Sequence, residues 1–154
     1  GDTIGNNSFK KERVELRMKW GPHLTFDGRC EAAFRFYERC LGGRIDTLLT
    51  YGDSPMAAQV PGDWRGKIVH AALTVGDSAL TGVDLLPKDY GLPRGFFVLL
   101  NIDHPADTER MFRSLSEKGT VRMPIQETFW SIRFGIVVDQ FGIPWEINCN
   151  GAGQ

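Results

Sequence analysis

Residues 27–43, DGRCEAAFRFYERCLGG, and residues 103–119, DHPADTERMFRSLSEKG, decide the fold, because the two stretches follow the same plan. Each begins with Asp, ends with Gly at the same separation, and carries apolar residues at helical spacing in between, which predicts one helix in each stretch. Asp27 is the predicted capping acid of the first helix. In the second stretch, Pro105 stands where the first turn of a helix tolerates proline. The predicted apolar faces are formed by Cys30, Ala33, Phe34, Tyr37, Cys40 and Leu41 in the first helix and by Met111, Phe112 and Leu115 in the second.

The segments around the two helices also repeat. One strand-like segment precedes each helix and three follow it, with alternating or β-branched residues bounded by glycine-containing turns. Asp77 precedes Asp84 by seven positions, just as Asp139 precedes Glu146, which we take as further support for a duplication. The predicted strands are residues 23–26, 44–51, 67–75 and 79–86 in the first half and 96–102, 120–125, 131–138 and 143–149 in the second.

We therefore predict an α+β fold with two β-α-β-β-β modules in one domain over residues 20–150, the modules spanning about 20–90 and about 94–150. Neither half can bury both its helix and its sheet alone, so the halves should pair and leave a curved mixed sheet with a concave side for binding or chemistry. Residues 1–19 stand apart as an N-terminal extension. They are a disordered segment, a vector remnant, a short helix, or sequence upstream of a start at Met18.

The composition is that of a globular protein, with 42% hydrophobic residues and a formal net charge of −1. Near-zero charge gives no reason to expect nucleic acid or a membrane surface as a partner. No apolar run approaches a membrane span, and the N-terminus lacks the apolar centre of a signal peptide. The three cysteines, Cys30, Cys40 and Cys149, show no metal spacing, and we interpret them as buried, reduced thiols of a cytoplasmic protein.

Several motifs resemble PhnB-like proteins of the glyoxalase/bleomycin-resistance/dioxygenase (vicinal oxygen chelate) superfamily. Residues 24–28, LTFDG, are similar to the opening of that family, and residues 51–53, 69–71 and 81–84 also fit it. The most specific resemblance is C-terminal and consists of Met123-Pro124, Glu127-Thr128-Phe129-Trp130, Arg133-Phe134-Gly135, Asp139, Phe141-Gly142, Trp145 and Asn148-Cys149.

The resemblance implies a scaffold more than one activity, since the superfamily includes glyoxalases, dioxygenases, epimerases, fosfomycin-modifying enzymes and non-catalytic drug binders. It also implies a homodimer in which the subunits complete each other's cups, and the exposed edges of an open sheet favour the same assembly. PhnB-like members often carry the label 3-demethylubiquinone-9 3-methyltransferase. The sequence argues against that activity, because it lacks the glycine-rich turn that holds a methyl-donor cofactor between a strand and a helix.

Metal-using members of the superfamily draw ligands from the first and last strands of each half, which implies a divalent-metal site here of His23, Asp84 and Glu146. One histidine and two carboxylates suit a transition metal with open positions. Leu99 occupies the position that corresponds to His23 in the second half and removes a fourth ligand. Alternatively, Asp84 is a turn-capping carboxylate and no metal binds.

A second group of candidates suits a small-molecule ligand. Arg133 would anchor an anionic group in a forked geometry with Glu127 as its partner, or the two form a structural pair. Trp145 and Cys149 are expected in the core. Two functions stay open: a metal-free small-molecule binder, and a metal-dependent lyase, isomerase or dioxygenase. The predicted ligand-binding residues are Tyr51, His70, Glu127, Phe129, Trp130 and Arg133.

Overall fold

A computed structural model describes residues 17–151 and confirms the predicted α+β fold of two β-α-β-β-β modules; their strands form two four-stranded mixed sheets. Residues 1–16, most of the predicted extension, lie outside the described residues, and residues 17–19 form no helix or strand. The first half contains β1 (His23–Phe26), α1 (Cys30–Leu41), β2 (Arg44–Thr50), β3 (Ile68–Val75) and β4 (Ser78–Asp84). The second half contains β5 (Val98–Ile102), α2 (Pro105–Ser116), β6 (Thr120–Gln126), β7 (Arg133–Val138) and β8 (Pro144–Cys149).

The two sheets have the same topology. Their strand orders are β1-β4-β3-β2 and β5-β8-β7-β6, so the first strand of each half lies at an edge and pairs with the last. That pairing is parallel in both sheets, and the other pairs are antiparallel. A parallel pair needs a crossover, which the helix and the two following strands provide in each half.

Helix α1 begins without the cap that the sequence suggests. We predicted Asp27 as its capping acid, and this is wrong, because the Asp27 carboxylate binds the Arg29 guanidinium at 3.0 Å instead. The backbone N–H groups of Gly28 and Cys30 donate to Asp84 Oδ1, each at 2.9 Å. A carboxylate from the end of β4 therefore neutralises the N-terminal end of the helix, where free N–H groups favour negative charge.

Each helix packs against a sheet through a phenylalanine that faces a glycine. A Cβ atom on Gly82 would lie 2.6 Å from the Phe34 ring, and one on Gly135 would lie 2.6 Å from the Phe112 ring. Both glycines are needed because no larger side chain leaves room for the ring at native packing density.

The two halves share one hydrophobic core. The ring of Tyr37 in α1 lies 5.3 Å from that of Trp145 in β8 and 6.3 Å from that of Phe141, and its hydroxyl donates to Asp139 at 2.5 Å. Helix α1 packs on Gly82 of the first sheet through Phe34 and on Trp145 of the second sheet through Tyr37, and it also contacts α2. Both helices therefore lie on the side of the sheets where the two halves meet, which we call the inner side. The opposite face of each sheet therefore points outward.

The expected core residues Trp145 and Cys149 are fully buried, and all three cysteines are buried and unpaired, as predicted. Among residues 17–151, no helix is long and apolar enough to cross a membrane.

Candidate ligand-binding faces

The outward face of the first sheet is built by residues that alternate with the core residues of each strand. We call it the first open face. Leu24 and Phe26 point to the core, so His23 and Thr25 point outward, and the cross-strand register carries this face across the sheet. One row consists of His23, Thr81, Ala72 and Thr47, and the other of Thr25, Val83, His70 and Leu49.

The second open face is the corresponding side of the second sheet. Trp145, Ile147 and Cys149 are buried on the inner side of β8, so its alternate residues face outward. The register again defines two rows. They consist of Asn101, Asn148, Phe134 and Gln126, and of Leu99, Glu146, Ile136 and Met123.

The structure does not bring the three predicted metal ligands together. His23 lies on the first open face, where its Nδ1 atom is 2.7 Å from Thr81 Oγ1. Asp84 lies on the opposite, inner side of the same sheet and is only 1% exposed. Its carboxylate accepts three backbone hydrogen bonds, including one of 2.9 Å from Ile68. This arrangement matches the alternative that we left open, a carboxylate that caps a turn.

Glu146, the third predicted ligand, lies on the second open face opposite Leu99. The predicted equivalence of Asp84 and Glu146 is wrong. In the first sheet His23 pairs with Thr81, and in the second sheet the corresponding residue, Leu99, pairs with Glu146. Thr81 is therefore the counterpart of Glu146. Within residues 17–151, no three His, Cys, Asp or Glu side chains are grouped as a metal site requires. The side chains of one chain thus do not fit the metal that the family resemblance implied.

Tyr51 and His70 occupy different environments. Tyr51 is buried, and its hydroxyl donates to the backbone carbonyl of Asp84 at 2.6 Å. This hydrogen bond joins the start of the segment between β2 and β3 to the end of β4. Burial, and secondarily the nearby Asp84 carboxylate, raises the pKa of Tyr51 above its ordinary value. His70 is exposed on the first open face, opposite Leu49.

The cluster predicted around Arg133 is divided between two sides of the second sheet. The predicted pairing of Arg133 with Glu127 is wrong: Arg133 Nε donates to Glu109 of α2 at 3.1 Å, so the guanidinium lies on the inner side. Glu127 and Phe129 are exposed in the segment between β6 and β7. Trp130 packs edge-on against Phe134 with ring centroids 5.4 Å apart, which joins it to the second open face.

The residues of the second open face that the sequence reasoning missed as candidates include Asn101, Phe134 and Asn148. For Asn148 the sequence contained a usable signal, because strict alternation along β8 places it on the side opposite Trp145 and Cys149. Asn148 Nδ2 donates to Asn101 Oδ1 at 2.9 Å, beside the Phe134 ring. The face therefore combines the exposed Trp130 ring, which packs on the buried Phe134, with side-chain amides. This combination suits an uncharged or weakly polar organic molecule.

Comparison with known proteins identifies a family and a relative that are similar to this chain. The family model of the glyoxalase/bleomycin resistance protein/dioxygenase superfamily matches residues 22–147. Protein YjdN of Escherichia coli is 32% identical over 139 residues, which cover 85% of this chain and 95% of that protein.

Solved structures of other proteins have folds similar to that of this chain. Protein PA1353 from Pseudomonas aeruginosa is 41% identical, with a TM-score of 0.78 over 87% of this chain and 98% of its own. A putative 3-demethylubiquinone-9 3-methyltransferase, PhnB protein, from Bacillus cereus is 21% identical, with a TM-score of 0.73 over 86% of this chain and 99% of its own. The second likeness bears on the fold alone.

Proposed function

The chain belongs to the glyoxalase/bleomycin resistance protein/dioxygenase superfamily, and from this we propose that it is a small-molecule-binding protein that holds its ligand in a cup between two copies of the chain. Each cup consists of the first open face of one subunit and the second open face of its partner. Metal takes no part in holding the ligand.

The outward direction of the two open faces carries this proposal. Both helices lie between the sheets of one chain, so its two open faces point away from each other and cannot enclose a ligand together. A second copy supplies the missing wall of each cup. Symmetric pairing of this kind is the commonest assembly of soluble proteins.

Exposed apolar side chains near the free edge of β5 also favour a dimer. Among the strands of residues 17–151, β5 pairs only with β8, and Leu99 on β5 is 52% exposed. Phe96 and Phe97, just before the strand, and Leu92 are exposed as well. A neighbouring group of large apolar side chains beside an unpaired strand edge is typical of an interaction surface.

The chemistry of the open faces supports binding rather than metal-dependent catalysis. Asp84 uses both carboxylate oxygens for backbone hydrogen bonds and faces inward, which leaves His23 and Glu146 as the predicted ligands on open faces. Two ligands from different subunits are fewer than the three protein groups of a typical catalytic metal site.

Binding of the neutral fluorescent dye Nile red tests the proposal. We expect saturable binding by a dimer and loss of most of it in Ile136→Trp, which fills the second open face. Arg113→Trp is the control, because it adds the same side chain at an exposed position of α2. A monomer in sedimentation velocity, or equal dye binding by both variants, would contradict the proposal.

Metal analysis addresses the enzymatic alternative. Protein prepared without chelators is loaded with Zn²⁺, Mn²⁺ or Fe²⁺ and its retained metal is measured. We expect the protein to retain less than one ion per subunit and expect His23→Ala and Glu146→Ala to retain the same amount. One ion per subunit that disappears in both variants would favour a metal-dependent lyase, isomerase or dioxygenase instead.

A further inference from the structure

Asn148 has an acceptor atom that no group in the described protein satisfies. The residue is only 8% exposed, and its Oδ1 atom is buried without a hydrogen-bond partner. Buried side-chain oxygens are nearly always hydrogen-bonded, and leaving one unpaired destabilises the folded protein. An unpaired amide oxygen on a candidate binding face therefore points to a donor that does not belong to residues 17–151, such as a group of a bound ligand.

The orientation of this amide is fixed by its nitrogen. Asn148 Nδ2 donates to Asn101 Oδ1 at 2.9 Å and to Asn150 Oδ1 at 3.0 Å, which uses both of its hydrogens. The Oδ1 atom is thus held in one direction as an acceptor. Turning the amide round would give up both hydrogen bonds and present two donors instead.

The surroundings of Asn148 restrict the ligand further. Phe134 lies opposite it on β7, and Trp130 packs on Phe134, so a ring system finds aromatic partners beside the amide. Neither row of the second open face contains Lys or Arg, and the neighbouring row contains Glu146. A negatively charged ligand would meet a carboxylate and no cation there.

From these observations we infer that the ligand is an uncharged, ring-bearing molecule with a hydroxyl or N–H group that donates to Asn148 Oδ1. This rests on the proposed function, because it assigns a ligand class to the same cup. The oxygen is covered in the free chain, so neighbouring side chains on this face shift when the donor arrives. The protein should bind a ligand with a donor group more tightly than an analogue without one, because the analogue leaves the amide oxygen unpaired.

Three naphthalene probes test separately whether a ligand must carry a donor group and whether it must be uncharged. Their affinities are measured by fluorescence titration at pH 7. 2-Naphthol carries a donor, 2-methoxynaphthalene replaces that donor with a methyl ether, and 2-naphthoate carries a negative charge. We expect 2-naphthol to bind about tenfold more tightly than 2-methoxynaphthalene, since one hydrogen bond to a buried acceptor is worth roughly one decade. The 2-naphthoate anion should bind more weakly than either.

Two variants identify the acceptor. Asn148→Leu should weaken 2-naphthol about tenfold and leave 2-methoxynaphthalene unchanged. Gln140→Leu is the control and should keep the preference, because it removes a side-chain amide in the turn between β7 and β8, outside both rows of the face. Equal affinities for the two probes in the unmodified protein, a preference for the ether, or a preference that survives Asn148→Leu would each overturn the inference. The comparison in the unmodified protein stands even if a variant does not fold.

The outcomes also separate this inference from the proposed function. If Nile red and 2-methoxynaphthalene bind but the hydroxyl adds nothing, the cup exists and only the donor class is wrong. If neither Nile red nor any naphthalene binds, the proposed function itself is wrong.

Discussion

Two buried carboxylates organise the chain at the scale of single residues. Asp84 accepts backbone hydrogen bonds that join the turn before α1, the start of α1 and the start of β3 to the end of β4. Asp139 accepts from the Tyr37 hydroxyl, the Trp145 indole N–H and two backbone N–H groups. Hydrogen bonds to a charged, buried acceptor are the strong ones in proteins, so both residues act as structural anchors.

Replacement of Asp84 tests this role. Asp84→Asn keeps one acceptor oxygen but turns an amide NH₂ toward a backbone N–H group, so we expect a loss of about 2–4 kcal/mol in the free energy of unfolding. Urea denaturation followed by circular dichroism measures it. Glu146→Gln on the second open face is the control and should change stability by less than about 0.5 kcal/mol. A fully stable Asp84→Asn would show that the carboxylate is not an anchor.

A second residue-scale prediction concerns alkaline pH. Burial raises the pKa of the Cys40 thiol from its ordinary value of 9.0 to about 11. The unfolded chain therefore releases this proton first, so the stabilisation is complete below pH 9 and is lost as the pH rises from 9 to 11. Burial also raises the pKa of Cys30 and Tyr37, which adds to the same trend.

Urea denaturation between pH 7 and 10 provides the test. Unfolding free energy should be flat to about pH 8.5 and then fall. The fall to pH 10 should be about 1 kcal/mol smaller in Cys40→Ala, because one proton contributes about 1.4 kcal/mol for each pH unit. An identical decline in both proteins would show that Cys40 ionises normally in the folded state.

At the scale of elements, the phenylalanine–glycine contacts position the helices. Gly82→Ala would place a Cβ 2.6 Å from the Phe34 ring, and overpacking of this kind costs about 1–3 kcal/mol. Thermal denaturation should show a lower midpoint for Gly82→Ala. Gly91→Ala is the matched control, because a Cβ there meets nothing within 4 Å. Equal midpoints for the two variants would mean that α1 shifts without cost.

Helices and strands were predictable because each leaves a periodic signal in the chain. Alternation predicted β1 and β8, and apolar spacing with a terminal glycine predicted α1 and α2. The partners of long polar side chains were not predictable. Arg133 and Glu127 are close in sequence, but Arg133 reaches Glu109 of α2, since the packing of the helix on the sheet decides which carboxylate is near.

The equivalence of the two halves shows a similar limit. The separation from turn to carboxylate matched Asp84 with Glu146, but the strand register matches Thr81 with Glu146. Position in a strand is set by pairing across the sheet, and a displacement by an odd number of residues reverses the face. Sequence spacing therefore predicted the duplication correctly but matched the wrong residue of β4 with Glu146. The amide row around Asn148 could be recognised only from the strand register.

At the scale of the whole molecule, α1 joins the two halves. The Tyr37 hydroxyl donates to Asp139 of the second half at 2.5 Å, within a buried aromatic cluster. We expect Tyr37→Phe to lower the free energy of unfolding by about 1–3 kcal/mol, because Asp139 loses one of its donors. Tyr90→Phe should change it little, since Tyr90 is only half-buried and lies outside the aromatic cluster around Tyr37. Urea denaturation of both variants checks this.

The shared cup is tested most directly by a mixed dimer that combines Ala72→Trp, which fills the first open face, with Ile136→Trp, which fills the second. Each homodimer of a single variant should lose Nile red binding, because both of its cups contain one filled face. In a co-expressed, doubly tagged heterodimer, one cup contains both tryptophans and the other contains none. We therefore predict that the heterodimer regains about half of the dye sites of the unmodified dimer; a heterodimer that binds no dye would place the cup within one chain and contradict the shared architecture.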